Sequence, residues 1–136
     1  MKAEGSYTVA KWEESPYEII SDTSRLTKAS VEYQFSGGIR GKATVEYLMY
    51  YSHFDAKEQH NSAAKYVGVV RFDGTVGNKS GSFVLIDNGT FGSGAAESSL
   101  EIAAGSGAKE LKGITGTGMY RADRNGCRIE IDFDIA

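Results

Sequence analysis

The chain has 136 residues, 40% of them hydrophobic, with 17 glycines, one proline, one cysteine and a formal charge of −3. That length suits one domain over residues 1–136, which buries roughly 70% of its unfolded surface and needs no disulfide or metal staple. Scattered Lys and Arg exclude the basic footprint of a nucleic-acid binder, and no apolar stretch is long enough to span a bilayer.

Taken in chain order, the dominant signal is period two punctuated by glycine. Residues 1–7 lack the apolar core of a signal peptide and lead into a strand-like run at 6–14. Trp12 in that run reads as a core residue or a barrel-end plug, and residues 17–21 as a short edge piece. The second run covers 28–35, where Ala29, Val31, Tyr33 and Phe35 alternate with Lys28, Ser30, Glu32 and Gln34. A turn at Ser36-Gly37-Gly38 leads to the run 41–51, with Val45, Tyr47, Met49 and Tyr51 on one face and Glu46, Leu48 and Tyr50 on the other. Residues 52–64 form the longest connection, a long loop or short helix, since Asp55 and Glu58 stand at capping-box spacing ahead of Ala64.

Runs at 66–73, 80–87 and 90–104 follow, separated by the turn signals Asp73-Gly74 and Asn88-Gly89. Residues 108–112 read as one short turn. Runs at 116–122 and 127–135 close the chain across Asn125-Gly126, and in the last of them Cys127, Ile129, Ile131, Phe133 and Ile135 alternate with charged residues. Eight strands joined in sequence form an up-and-down meander, which removes its exposed edges by closing into an antiparallel barrel.

Specific segments carry a family resemblance. Gly105-Ser106-Gly107 followed by Leu111-Lys112-Gly113-Ile114-Thr115-Gly116-Thr117-Gly118 is similar to a segment of the allene oxide cyclase and dirigent barrels. Trp12-Glu13-Glu14, Phe35-Ser36-Gly37-Gly38, Val45-Glu46-Tyr47-Leu48-Met49, Ser80-Gly81-Ser82-Phe83-Val84-Leu85 and Gly89-Thr90-Phe91 resemble the bacterial proteins called domain of unknown function 3224. The resemblance spans nearly the whole chain. It implies an all-β, eight-stranded, allene-oxide-cyclase-like barrel, it implies no metal or organic cofactor, and it carries no activity and no catalytic residue.

Catalytic signatures are missing from the residues themselves: there is no Gly-x-Ser-x-Gly, no Gly-x-Gly-x-x-Gly and no phosphate loop. His53 and His60 lack the converging Cys or carboxylate partners that zinc needs, so no metal is expected. The lone Cys127, on an apolar face, reads as a small inert hydrophobe, and a single cysteine suits a cytoplasmic compartment. The aligned inner faces present Tyr33, Tyr47, Tyr51, Tyr66, Phe72 and Phe83, with Glu46 and Arg71 as polar anchors if they turn inward. Leu48, Tyr50, Val67, Val69, Val84 and Ile86 would merge into one apolar outer patch. A subunit partner, most simply in a homodimer, or residues 15–21 folding back would cover it.

The function expected from this pattern is binding of a small apolar molecule inside the barrel. A cofactor-free isomerase or cyclase in the same cavity, using Glu46 or a tyrosine for proton transfer, is one alternative. A solid barrel acting as an oligomeric structural or interaction protein is the other.

Overall fold

The computed structural model describes residues 1–58 and 61–136. Its strands are β1 (Lys2–Ile19), β2 (Arg25–Gly37), β3 (Ile39–His53), β4 (Ala63–Val76), β5 (Lys79–Gly92), β6 (Ala95–Ile102), β7 (Ala108–Lys109), β8 (Ile114–Asp123) and β9 (Gly126–Ile135). Every pairing is antiparallel, and the order β1-β2-β3-β4-β5-β6-β8-β9 returns to β1, so eight strands form a closed ring. The two-residue β7 sits outside that ring, paired with Gly81 and Ser82 of β5. No α-helix occurs among the described residues, and none is long and apolar enough to cross a membrane.

Alternation places the core as expected. On β3, Val45, Tyr47, Met49 and Tyr51 are buried while Glu46, Leu48 and Tyr50 are exposed. One half of the interior is solid, because Phe35, Phe72 and Phe83 pack in series as tilted rings at 5.9 and 5.1 Å, and Ile39, Val76 and Ile131 are also buried. Each large side chain buried this way contributes roughly 1.5–3 kcal/mol. The connection from β6 to β8 closes that end, driving Leu111 into the ring with no exposed surface. Gly81 leaves the room, since a Cβ there would strike Ala108 O and crowd the Leu111 side chain. Ser106 Oγ ties the connection down, donating to Ala103 O at 2.6 Å and accepting from the Val84 N–H at 3.0 Å.

Several local expectations are corrected. Asn88-Gly89 is no hairpin: β5 runs straight through it, and the turn falls at Ser93-Gly94. Those two residues have φ of 54° and 76°, the double positive φ that a type I′ turn demands. Asp73-Gly74 likewise lies inside β4, and Gly77 (φ 63°) with Asn78 makes the turn. At Asn125-Gly126 the hairpin exists, but its two loop residues are Arg124 and Asn125. The run 90–104 is split between β5 and β6. In 55–64, Asp55 does act as a cap, accepting from the N–H groups of Lys57 (3.0 Å) and Glu58 (3.1 Å), but the described residues make only a 3₁₀ contact from Asn61 N–H to Glu58 O. His60 lies outside the described residues.

The first strand is also longer than its sequence signal. Residues 17–19 continue β1, and residues 15–19 pair with β2 instead of folding over the outer face. A register shift between Val9 and Lys11 inserts one extra residue, which switches the inward phase from odd to even positions. Tyr7 and Val9, then Trp12, Glu14 and Pro16, consequently share the inner face. β9 pairs with β1 only over Lys2–Ser6. Beyond that seam β1 has β2 as its one strand partner among the described residues, so the ring is splayed open along its upper half.

Candidate functional site

The splayed half encloses a cavity of about 630 Å³. Apolar walls come from Val9, Met49, Phe91, Ala96, Ala122 and Cys127. Trp12, the chain's single tryptophan, covers one side, its ring stacked on Tyr47 at 6.3 Å and 30°. Nearly half of Trp12 is exposed (45%), and it lines the cavity. Trp12 is therefore a wall of the site, not a buried plug. Cys127 is half-buried on the same wall, so it is not a sealed core thiol.

The base of the cavity is polar. Tyr33, Tyr47, Tyr66 and Tyr120 line it from four different strands, and their hydroxyls converge. Tyr47 Oη lies 3.0 Å from Tyr33 Oη and 3.2 Å from Tyr120 Oη, and it donates to Asp87 Oδ2 at 2.9 Å. Tyr66 Oη lies 2.8 Å from Tyr120 Oη and 2.7 Å from Ser98 Oγ. Glycines make this crowding possible. A Cβ on Gly68, which faces Tyr47 across the β3–β4 ladder, would fall 2.5 Å from Tyr47 Cδ1.

Asp87 sits beneath the tyrosines with 1% of its surface exposed, and its Oδ1 has no hydrogen-bond partner. Burial pushes its carboxyl up to about 6, against the opposing pull of the Ser98, Tyr47 and Tyr120 hydroxyls. The phenols of Tyr33, Tyr47, Tyr66 and Tyr120 are all raised, chiefly by burial, so they are neutral donors at physiological pH.

A second polar group stands at the mouth. Glu14 accepts from Thr27 Oγ1 at 2.7 Å, Tyr51 Oη at 2.9 Å and Trp12 Nε1 at 3.0 Å. Burial, followed by the Glu14 charge, raises the Tyr51 phenol. The Arg25 guanidinium lies 3.9 Å above the centre of the Phe54 ring, close to Tyr51. The mouth thus carries one carboxylate and one cation beside an aromatic edge.

Of the residues singled out from sequence, Tyr33, Tyr47, Tyr51 and Tyr66 line the cavity. Phe72 and Phe83 face inward but belong to the solid half. Glu46 and Arg71 are corrected: both point outward, because they share the outer phase with Leu48 and Val69. Glu46 accepts from Ser30 Oγ at 2.6 Å, and both residues border a groove on the outer surface. His53 is exposed at the end of β3 and does not line the cavity. Among the described residues no group of three His, Cys, Asp or Glu is placed to hold a metal.

Asp87, Tyr120, Glu14 and Arg25 drew no functional reading from the sequence, and Trp12 drew only that of a core residue or plug. Asp87 was readable in principle, since Phe83, Leu85 and Asp87 share one phase of β5. Trp12 and Glu14 carry no such signal, because the bulge that turns them inward leaves no mark in composition or spacing.

The outer patch is as bare as expected. Leu48, Tyr50, Val67, Val69 and Ile86 are each exposed and Val84 is half-buried. Leu48 pairs with Val67 and Val69 with Ile86, while Tyr50 lies opposite Lys65 and Val84 opposite Arg71.

No curated protein matches the chain. A crystal structure of a protein of unknown function from the DUF3224 family of Shewanella oneidensis MR-1 is similar to it, with a TM-score of 0.74 and 22% identity. That similarity covers 100% of this chain and 97% of the other, and it shows a shared fold. The family model for proteins of unknown function DUF3224 matches residues 3–135, and the chain belongs to that family.

Proposed function

We propose that the protein binds one small, largely apolar molecule in the open half of its barrel and orients it with the tyrosine hydroxyls at the base. The observation that carries this reading is the pairing of a roughly 630 Å³ apolar-walled cavity with a cluster of four hydroxyls. Apolar walls with a few convergent polar groups are the usual make-up of a ligand site. The solid-barrel alternative is at odds with that volume. The cofactor-free enzyme alternative loses Glu46, which faces outward, and rests instead on Asp87 as the buried carboxyl in contact with Tyr47. A lone, unpaired cysteine fits the proposed cytoplasmic setting. The apolar outer patch of β3–β5 supports a homodimer as the form in which the binder operates.

The test is fluorescence titration with N-phenyl-1-naphthylamine, an apolar probe that brightens out of water. One-to-one saturable binding is expected, and Ala96→Trp, which fills the cavity from its wall without touching the hydroxyls, should abolish it. Absence of saturation in the parent protein would overturn the reading.

A further inference from the structure

The hydroxyl cluster has a direction that its proton count determines. Ionised Asp87 only accepts, so Tyr47 commits its single proton to Oδ2. Tyr47 must then accept from Tyr33, while the Tyr120 and Ser98 protons go either to neighbouring hydroxyls or to Asp87, on which both also pull. Every proton of these hydroxyls is used inside the cluster. Tyr33 Oη gives its proton to Tyr47 and has no other hydroxyl within hydrogen-bond distance, so it is left as an acceptor. Tyr33 lines the cavity and Ser98 does not.

We propose that Tyr33 Oη is the acceptor that reads the ligand, selecting a molecule with a neutral hydroxyl donor on an apolar body, an alcohol or a phenol, over ether and carbonyl analogues of the same shape. This rests on the binding reading above. A hydroxyl placed there donates to Tyr33 and completes the chain. A carbonyl or ether oxygen meets an oxygen with no proton to give, and loses its hydration without replacement. The Tyr7 hydroxyl is buried without a partner and stands outside the cluster, so it does not alter the count.

The polarity is set by the charge on Asp87. Protonation adds one proton to the cluster. Asp87 then donates to Tyr47, Tyr47 turns its own proton to Tyr33, and the Tyr33 proton is released toward the cavity. The acceptor becomes a donor. The groups facing Asp87 are Tyr7 from β1, Tyr33 from β2, Tyr47 from β3, Tyr66 from β4, Ser98 from β6 and Tyr120 from β8, with Cys127 of β9 adjoining Tyr7. None is a cation, and burial raises every one of these phenols, which leaves Asp87, at about 6, to titrate near neutrality.

Calorimetric titration of the intact protein with 2-naphthol and with 2-methoxynaphthalene tests this. At about pH 7.5 the naphthol should bind about tenfold tighter, the scale of one hydrogen bond, and near pH 5 the ratio should fall below about threefold. Tyr33→Phe should remove the preference while keeping the ether's affinity, which shows that the cavity is intact. Tyr47→Phe should make the ratio independent of pH. Equal binding of the two probes by the parent protein at about pH 7.5, or a preference that survives Tyr33→Phe, would overturn the inference and leave the binding reading standing. Failure of both probes to saturate would overturn the two together.

Discussion

Asp87 illustrates how much one residue can hold in a barrel of this size. Its carboxyl is enclosed by phenols and aliphatic side chains, with no cation facing it, and burial raises it from an ordinary 3.8 to about 6. A carboxyl raised in the folded state binds more protons there than in the unfolded chain between about pH 4 and pH 6. Its contribution to stability is therefore complete below about pH 4 and is lost as pH rises through about 6. The shift corresponds to roughly 3 kcal/mol. Asp87→Asn keeps an acceptor for Tyr47 and cannot ionise. Its stability relative to the parent should improve by up to about 3 kcal/mol between pH 4 and pH 7.5, read from denaturant midpoints across that range. A stability difference that does not change with pH would contradict the account.

Strand by strand, the ring divides into a filled end and an open end, and different elements are responsible for each. The β6–β8 connection plugs the filled end through Leu111, whereas the short β1–β9 seam and the bulge in β1 create the open one. Leu111→Ala should thus cost about 2–5 kcal/mol in denaturant unfolding and leave probe binding at the other end unchanged; weakened binding in a folded variant would show the two ends to be coupled. Strand existence and facing were legible throughout β2–β4, because two-sided alternation there is unbroken. Turn placement was not. Asn88-Gly89 looks like a type I′ turn, yet Gly89 lies where a Cβ would strike Tyr66 and Ser98. That glycine is present for packing inside the barrel, and Ser93-Gly94 makes the turn. Reading it as a hairpin ended the strand at Asp87 and set the carboxyl at the edge of a turn instead of inside the barrel.

At the scale of the whole molecule, the resemblance in sequence and the closed ring agree, and the family model extends over nearly the full chain. The interior tyrosines were legible because aromatic residues at inward positions on neighbouring strands must meet. The division of the interior was not, since whether a ring splays open depends on where two distant strands stop pairing. The outer face follows from alternation alone and leads to a prediction about assembly. Light scattering at tens of micromolar should report a dimer, and Val69→Glu, in the middle of the patch, should convert it to monomer with unchanged secondary structure. A parent protein that is monomeric at that concentration would contradict the proposed interface.

The central claim, that a ligand enters the splayed half and lies against Trp12 above the tyrosines, is tested most directly by NMR. The protein has one tryptophan and therefore one indole N–H signal. Titration with N-phenyl-1-naphthylamine should move that signal saturably, together with the amides of Met49, Ala96 and Ala122, while those of Val67, Val69 and Ile86 on the outer face stay still. Saturable shifts confined to the outer face, with the indole signal unmoved, would contradict it.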